Sequence, residues 1–295
     1  MIRVGAVDLG SNSTRLLVAD VEGERVEEVV RRTVVTGLGT GVDARRRLLP
    51  TSIARVRNAL VDFRRELDAL GAKRTLAVGT SAVRDAENGE AFLGEVEWSY
   101  GFATRLLSGD EEAALTRRGV GAAAEGALVL DVGGGSTELI AGEARTSLDV
   151  GSVRLTERFL DADPPTAVEL GAAARHVRSL LPELRADRAI GVAGTVAQLA
   201  ALVGGEVLRR ADVEQQLARL VALPLAERRT VEGLDPARAP VIVAGTLIVA
   251  TVLERYGLEE LRYSPYDLLD GAALEAAAMP ASGEGDAPPA AFTCC

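Results

Sequence analysis

Residues 2 to 20 place two apolar stretches, IRVGAVDL and TRLLVAD, on either side of a polar turn, GSNS. Short continuous apolar runs bounded by turn residues predict buried strands, so this segment predicts two strands joined by a tight polar loop. EGERVEEVVRRTVV adds a third strand. From Thr51 the period lengthens. Ile53, Val56, Leu60, Phe63, Leu67 and Leu70 recur every three or four residues and stop at Gly71, which predicts an amphipathic helix. A strand in RTLAVGT, a loop, a helix around residues 88 to 96, a short strand in TRLLS and a helix in SGDEEAALTRRGVGAA follow.

The second half opens as the first does. ALVLDVGGGSTELIAGE reads as strand, glycine turn, strand, and Asp131, Gly133, Ser136, Thr137 and Leu139 repeat Asp8, Gly10, Ser13, Thr14 and Leu16 in type and spacing. Two copies of D-x-G-x-x-S-T-x-L, each behind an apolar strand and about one domain apart, predict a duplication. Further on come TSLDVGSVRLTERF, a helical stretch from Pro165 to Leu184, and a strand-turn-helix in AIGVAGTVAQLAALV. Helices over Ala211 to Glu227 and near Val241, a strand in ELRYSP and a helix in YDLLDGAALEAAAM complete the pattern. The segment 280–295 is Gly/Pro/Ala-rich without periodicity and predicts a disordered tail.

Length and composition sharpen this reading. At about 150 residues per domain, 295 residues predict two domains. With 47% hydrophobic and only 3% aromatic residues, Ala, Val and Leu must fill the core. A net charge of -10 argues against non-specific binding of nucleic acid or anionic membranes. The one histidine, His176, lies in a helical stretch and reads as solvated or half-packed. Lys73 is the sole lysine and no Walker-type loop surrounds it. Cys294 and Cys295, adjacent at the end of the chain, offer neither a disulfide framework nor a zinc knuckle. No signal peptide is visible, and the uncharged run from Val241 to Leu253 is too short to span a bilayer. A soluble, cytoplasmic protein is expected.

Candidate chemistry lies at the turns. Backbone N–H groups in a glycine turn can face an anion unobstructed, here around Gly133 and Gly134, and the hydroxyls of Ser13, Ser136 and Thr137 add donors. Asp8 and Asp131 cannot bind phosphate themselves. Their natural role is to hold a divalent cation that neutralises it. Gly194 and Thr195 open a helix, a weaker anion signal. Ser108 and Glu111 have capping-box spacing, which leaves Glu112 without a structural task; spacing alone favours a solvated first-turn residue there. Arg84, after a strand end, either forks onto a phosphate or pairs with Asp85 or Glu87. Arg45, Arg46 and Arg47 read as a solvated loop.

In order, DLGSNSTRLLVAD, TSAVRDAENG, SGDEEA, LDVGGGSTELIAGE, GSVRLTERFL and GVAGT resemble the motifs of the exopolyphosphatase/guanosine pentaphosphate phosphohydrolase (Ppx/GppA) family over roughly residues 4 to 275. The resemblance implies an α/β fold of the actin/Hsp70/sugar-kinase superfamily, ribonuclease H-like and duplicated, with a phosphate cleft between two domains. These are expected at 1–125 and 126–279, with the last helix able to return onto the first. It implies a Mg²⁺-dependent (or Mn²⁺-dependent) hydrolase releasing terminal phosphate from inorganic polyphosphate or from the 5′ end of pppGpp. Under it Glu112 is the catalytic base. Asp131, Gly133, Ser136 and Glu138 belong to the second phosphate and metal motif, and Asp8, Ser13 and Arg15 to the first. Arg84, Gly194 and Thr195 are further phosphate contacts.

The family often has Arg and Glu where Gly37 and Thr40 stand, Thr-Thr-Leu after GVAGT where Ala197-Gln198-Leu199 stands, and a later His-Gly segment that is missing here. Longer relatives continue into further helical domains, so a short form favouring modest polyphosphate chains is expected, as is homodimer formation. A pppGpp phosphohydrolase and a non-catalytic (p)ppGpp or polyphosphate sensor are the alternatives.

Overall fold

In the computed structural model, residues 1–280 are described; the tail from 281 onward, with Cys294 and Cys295, lies outside the described residues. The chain opens with β1 (Ile2–Leu9), β2 (Ser13–Glu22) and β3 (Arg25–Val35). Then come α1 (Val42–Arg45), α2 (Pro50–Leu70), β4 (Arg74–Gly79), α3 (Ser81–Asp85), α4 (Gly89–Tyr100) and β5 (Ala103–Leu106). Helix α5 (Gly109–Val120) and a 3-10 turn (Gly121–Ala124) lead to β6 (Leu128–Val132), β7 (Thr137–Ala141) and β8 (Ala144–Leu148). Next are α6 (Ser152–Phe159), α7 (Ala167–Leu180), β9 (Ala189–Val192), α8 (Ala193–Val203) and β10 (Val207–Arg209). The described chain ends with α9 (Arg210–Val221), α10 (Leu225–Arg228), α11 (Ile242–Tyr256), β11 (Glu260–Tyr263) and α12 (Leu268–Ala278).

The strands form two sheets, ordered β3-β2-β1-β4-β5 and β10-β11-β9-β6-β7-β8. In each, an antiparallel hairpin is joined by a parallel strand, β4 beside β1 and β9 beside β6. The repeat seen in the sequence is therefore a repeat of topology, and the protein has the duplicated actin-like fold. Between Val4 and Val7 strand β1 has no polar side chain, because both its faces are covered there. Val7 and Leu9 pack with Val56, Leu60 and Phe63 of α2, while Val4 and Ala6 pack with Leu269, Ala272 and Ala273 of α12. The final helix thus lies on the first sheet. Gly71, in the left-handed conformation, ends α2.

Helix α5 occupies the seam. Ala113 and Val120 pack with Val129 and Ile140 of the second sheet, and Leu115 joins the α12 cluster. A Cβ on Gly119 would lie 1.9 Å from the Asp267 carbonyl oxygen, and one on Gly271 2.1 Å from that of Leu115. Only glycine lets the α5 and α12 backbones approach so closely.

The structure departs from the sequence expectations locally. Residues 81–85, expected as loop, form a short helix, and β8 and β10 are strands with no separate sequence signal. The helix expected over Ala211 to Glu227 is two, because Pro224 cannot continue the first and becomes the N-cap of the second. His176 is half-packed against the Phe159 ring, 5.0 Å between centroids. Among the described residues no helix is long and apolar enough to cross a membrane.

Candidate active site

The two glycine hairpins close alike. Gly10 N donates to Ser13 O at 3.1 Å, and Gly133 N to Ser136 O at 3.0 Å. Their tips touch across the seam. A Cβ on Gly134 would lie 2.8 Å from Asn12 N and 2.9 Å from Ser11 Cβ, and one on Gly135 2.4 Å from Ser81 Oγ. Beneath this contact runs a cleft of about 550 Å³. Asp8, Asp131, Glu112, Ser13, Ser136 and Arg238 are among its lining residues, together with the α8 start at Ala193–Thr195. Gly133, Gly134, Gly194 and Arg15 border it too. Ala193 has φ 60°, a left-handed conformation that costs a non-glycine residue about 1–2 kcal/mol. Strain of this kind gathers at functional sites.

Glu112 reaches the cleft because Glu111 is held elsewhere. In a complete capping box, Ser108 N donates to Glu111 Oε2 at 2.8 Å and Glu111 N to Ser108 Oγ at 3.3 Å. Arg105 pairs with Glu111 at 2.5 Å, and these bonds draw its pKa down to about 2. The next residue turns inward. Glu112 is buried rather than solvated, 7% exposed, with Arg84 Nη1 3.3 Å from its Oε2. Burial pushes its pKa up to about 8; Asp131 and Asp8 add to the rise and Arg84 opposes it. Burial, Asp267 and Asp8 likewise push Asp131 to about 7, against Arg15. Glu138 is raised well above its usual range by burial and by Glu112 and Asp131.

Several residues expected to contact phosphate have their side chains bonded within the protein. Thr137 is fully buried and donates to Val150 O at 2.6 Å, because strand alternation points it away from Ser136 and into the core. Glu138 is buried behind Asp131, its register partner, and accepts from Ser147 Oγ at 2.7 Å. Arg84 pairs with neither Asp85 nor Glu87 and does not line the cleft. It donates to Leu107 O at 2.7 Å and braces Glu112. Arg15 sits between two carboxylates, Asp8 at 2.9 Å and Asp267, so its charge is already matched. Thr195 lines the cleft, but its hydroxyl donates to Val132 O at 2.8 Å.

Arg238 carried no sequence signal. It precedes the apolar α11, donates to Ser13 Oγ at 3.1 Å, and makes no ion pair among the described residues. Its guanidinium lies so close to Gly194 that a Cβ there would meet Nη1 at 2.2 Å. Burial lowers its pKa and repulsion from Arg15 adds to this, so an anion beside it would be welcome. Gln198, one of the positions departing from the family pattern, steadies the Arg238 loop by accepting from Asp235 N at 2.7 Å. Asn12 is a second addition: it lines the cleft and its Nδ2 is buried without a partner.

The carboxylates predict an unusual stability profile. Glu112 and Asp131 have folded-state pKa values above their unfolded ones. Their contribution is therefore fully present below about pH 4 and is lost as pH rises through about 7 to 8. With a chelator present, Tm is expected to rise as pH falls from 8.5 to 6, and Glu112→Gln is expected to raise Tm at pH 8.5. A flat profile, or a variant no more stable than wild type, would contradict the buried cluster.

Known proteins match this chain in sequence and in fold. The Ppx/GppA phosphatase family matches residues 17–278. Exopolyphosphatase 2 of Mycobacterium tuberculosis is 39% identical, covering 94% of this chain and 99% of its own length. An exopolyphosphatase from Cytophaga hutchinsonii superposes with a TM-score of 0.83 at 27% identity, covering 91% and 96% of the two chains. The Ppx-GppA enzyme of Aquifex aeolicus gives 0.77 at 29% identity, covering 93% and 99%. Matched from within the second strand of the first hairpin to the end of the last helix, the chain belongs to the Ppx/GppA phosphatase family.

Proposed function

We propose that this phosphoanhydride hydrolase is an exopolyphosphatase, removing terminal orthophosphate from inorganic polyphosphate by in-line attack of water. The observation that carries the reading is the buried, arginine-braced Glu112 at the cleft between two matching phosphate hairpins. Glu112 accepts the proton of the attacking water, and its raised pKa brings a carboxylate into the range of a useful base near neutral pH. Hairpin N–H groups, Asn12 and Arg238 hold the charge of the transferred phosphoryl group. Serine, asparagine and glycine line the cleft, and among the described residues no aromatic side chain does, which suits a bare phosphate chain.

The donor set fits Mg²⁺. Asp8 Oδ1 is buried without a hydrogen-bond partner, and Asp131 makes no ion pair among the described residues. Mg²⁺ keeps several waters and phosphate oxygens as ligands and needs only one or two carboxylates from the protein. Asp8 and Asp131 would hold the cation, which when bound neutralises phosphate oxygens against this acidic cluster.

One observation favours a second reading, pppGpp hydrolysis. An adjoining cavity of about 660 Å³ shares Arg15, Gly194 and Arg238 with the cleft and contains Tyr263, a ring on which a base could rest. The test is phosphate release from polyphosphate of defined lengths, pppGpp and ATP, in Mg²⁺. Release from polyphosphate supports the first reading and release from pppGpp alone the second. Binding without release would leave a sensor.

Arg238→Gln separates affinity from stability. Removing a half-buried cation that makes no ion pair among the described residues should leave Tm unchanged or higher, while polyphosphate binding weakens about 10- to 100-fold. Calorimetric titration and thermal melting check both; unaltered affinity would remove Arg238 from the site.

A further inference from the structure

We propose that Arg154 is a positioning residue that couples docking of the two hairpins to the orientation of Glu112, acting through helix α3. The proposal rests on the role given to Glu112 above. Arg154 belongs to α6, which is bonded to the second hairpin. Ser152 N donates to Gly133 O at 2.9 Å, Val153 N to Gly134 O at 2.8 Å and Arg154 N to Gly134 O at 3.1 Å. Helix and hairpin therefore move as one piece.

From there the guanidinium crosses the seam. Nη1 lies 3.2 Å from Asp43 Oδ1, and Nη2 donates to Ser81 Oγ at 3.2 Å and to Asp85 Oδ2. All three partners belong to the first half. Arg154 is 8% exposed and its two carboxylate partners are half-buried, so withdrawing the guanidinium leaves Asp85 without its close cation, while Asp43 keeps Arg158. Two neighbours on α6 reinforce the contact. Arg158 pairs with Asp43 at 2.5 Å, and Glu157 Oε1 accepts from Gly41 N at 2.9 Å.

Ser81 and Asp85 are the first and last residues of α3. Five residues are too few for a helix to be stable alone. Its N-terminal end rests on the first hairpin, where Ala82 N donates to Ser11 Oγ at 3.2 Å. The C-terminal end is gripped through Asp85, whose other contacts are a long 3.5 Å bond from Ser81 Oγ of the same helix and a 4.0 Å contact with the exposed Arg46. Arg84, one residue earlier, is the group that braces Glu112. Closing the hairpins brings Arg154 onto Asp85, which fixes α3 and with it Arg84 and Glu112. Parting them frees all of these together, so the base is set only when the phosphate cradle is assembled.

The test is a kinetic cycle with a physical readout. Arg154→Met and Asp85→Asn are made singly, and Arg154→Met is combined with Arg84→Met. Each single variant is expected to lower kcat about 30- to 100-fold with KM changed less than about 3-fold, and Arg154→Lys to recover part of the loss. With Arg84→Met already present, Arg154→Met should cost less than about 3-fold more, because the path is already broken. Amide hydrogen exchange at residues 82–86 should speed at least about tenfold in Arg154→Met.

Wild-type kcat in Arg154→Met, an equal loss in both backgrounds, or unchanged exchange at 82–86 would overturn the proposal. If Arg154→Met does not fold, Asp85→Asn, which leaves the Asp43 pair in place, decides in its stead. If the wild type releases no phosphate, the reading of Glu112 fails, and the exchange measurement alone decides whether Arg154 orders α3.

Discussion

Glu112→Gln is expected to lower kcat for phosphate release by about 10²- to 10⁴-fold while leaving polyphosphate affinity equal or higher. The amide keeps the shape and can still receive the Arg84 region, but it cannot take a proton from water. It also removes one negative charge from a cleft that must admit a polyanion, beside Asp8 and Asp131. In the wild type the rate should rise with pH, since the base works only when ionised. Its ligand-free pKa of about 8 marks the upper end of that rise, and bound Mg²⁺ should draw the limb to lower pH by favouring the carboxylate. Steady-state rates from pH 5.5 to 9 at two Mg²⁺ concentrations test both points. Activity within tenfold of wild type in the variant would remove Glu112 from the mechanism.

Gly134→Ala should be nearly as damaging for a different reason. The added methyl would meet Asn12 N at 2.8 Å, Ser11 Cβ at 2.9 Å and Asn12 Cβ at 3.2 Å. All three belong to the opposite backbone or are bonded directly to it, so the clash cannot be relieved by turning a flexible side chain. To restore ordinary contact the hairpins must part by roughly 0.6–1 Å, and misplacing reacting groups by about 1 Å costs about 100-fold in rate. Loss in kcat/KM of that size with Tm within a few degrees of wild type is expected. Normal turnover would mean that catalysis does not need the tips in contact.

How legible the molecule was depends on what each residue reports. Apolar runs gave β1, β2, β4 and β6, and the paired D-x-G-x-x-S-T-x-L motifs gave the duplication, because buried strands and glycine turns write themselves locally. Short elements did not show. β10 has three residues, and α3 owes its form to partners far away in sequence. At the site, spacing says that a residue is near but not which way it faces. Thr137 follows Ser136 and therefore points to the opposite side of β7, a period-two consequence readable in advance. Arg15 looks identical in sequence whether it meets phosphate or carboxylate; Asp267, which claims it, is 252 residues away. The spacing of Glu112 favoured solvent, and only the resemblance pointed inward. Arg238 lacked any pattern at all, a single arginine ahead of an apolar helix.

The seat of α12 on the first sheet sets an order of events during synthesis. One face of β1 and β2, including Val4, Ala6, Leu17 and Ala19, is covered by side chains from residues 268 to 276. The sheet's own strands are complete at residue 106. At about 5–20 residues per second, its final cover emerges about 10–30 s later. The earliest-made half of the enzyme is thus the last to be finished. Until then an apolar sheet face stands bare on the ribosome, where a chaperone would find it, and the wall of the cleft that holds Asp8 has no fixed backing.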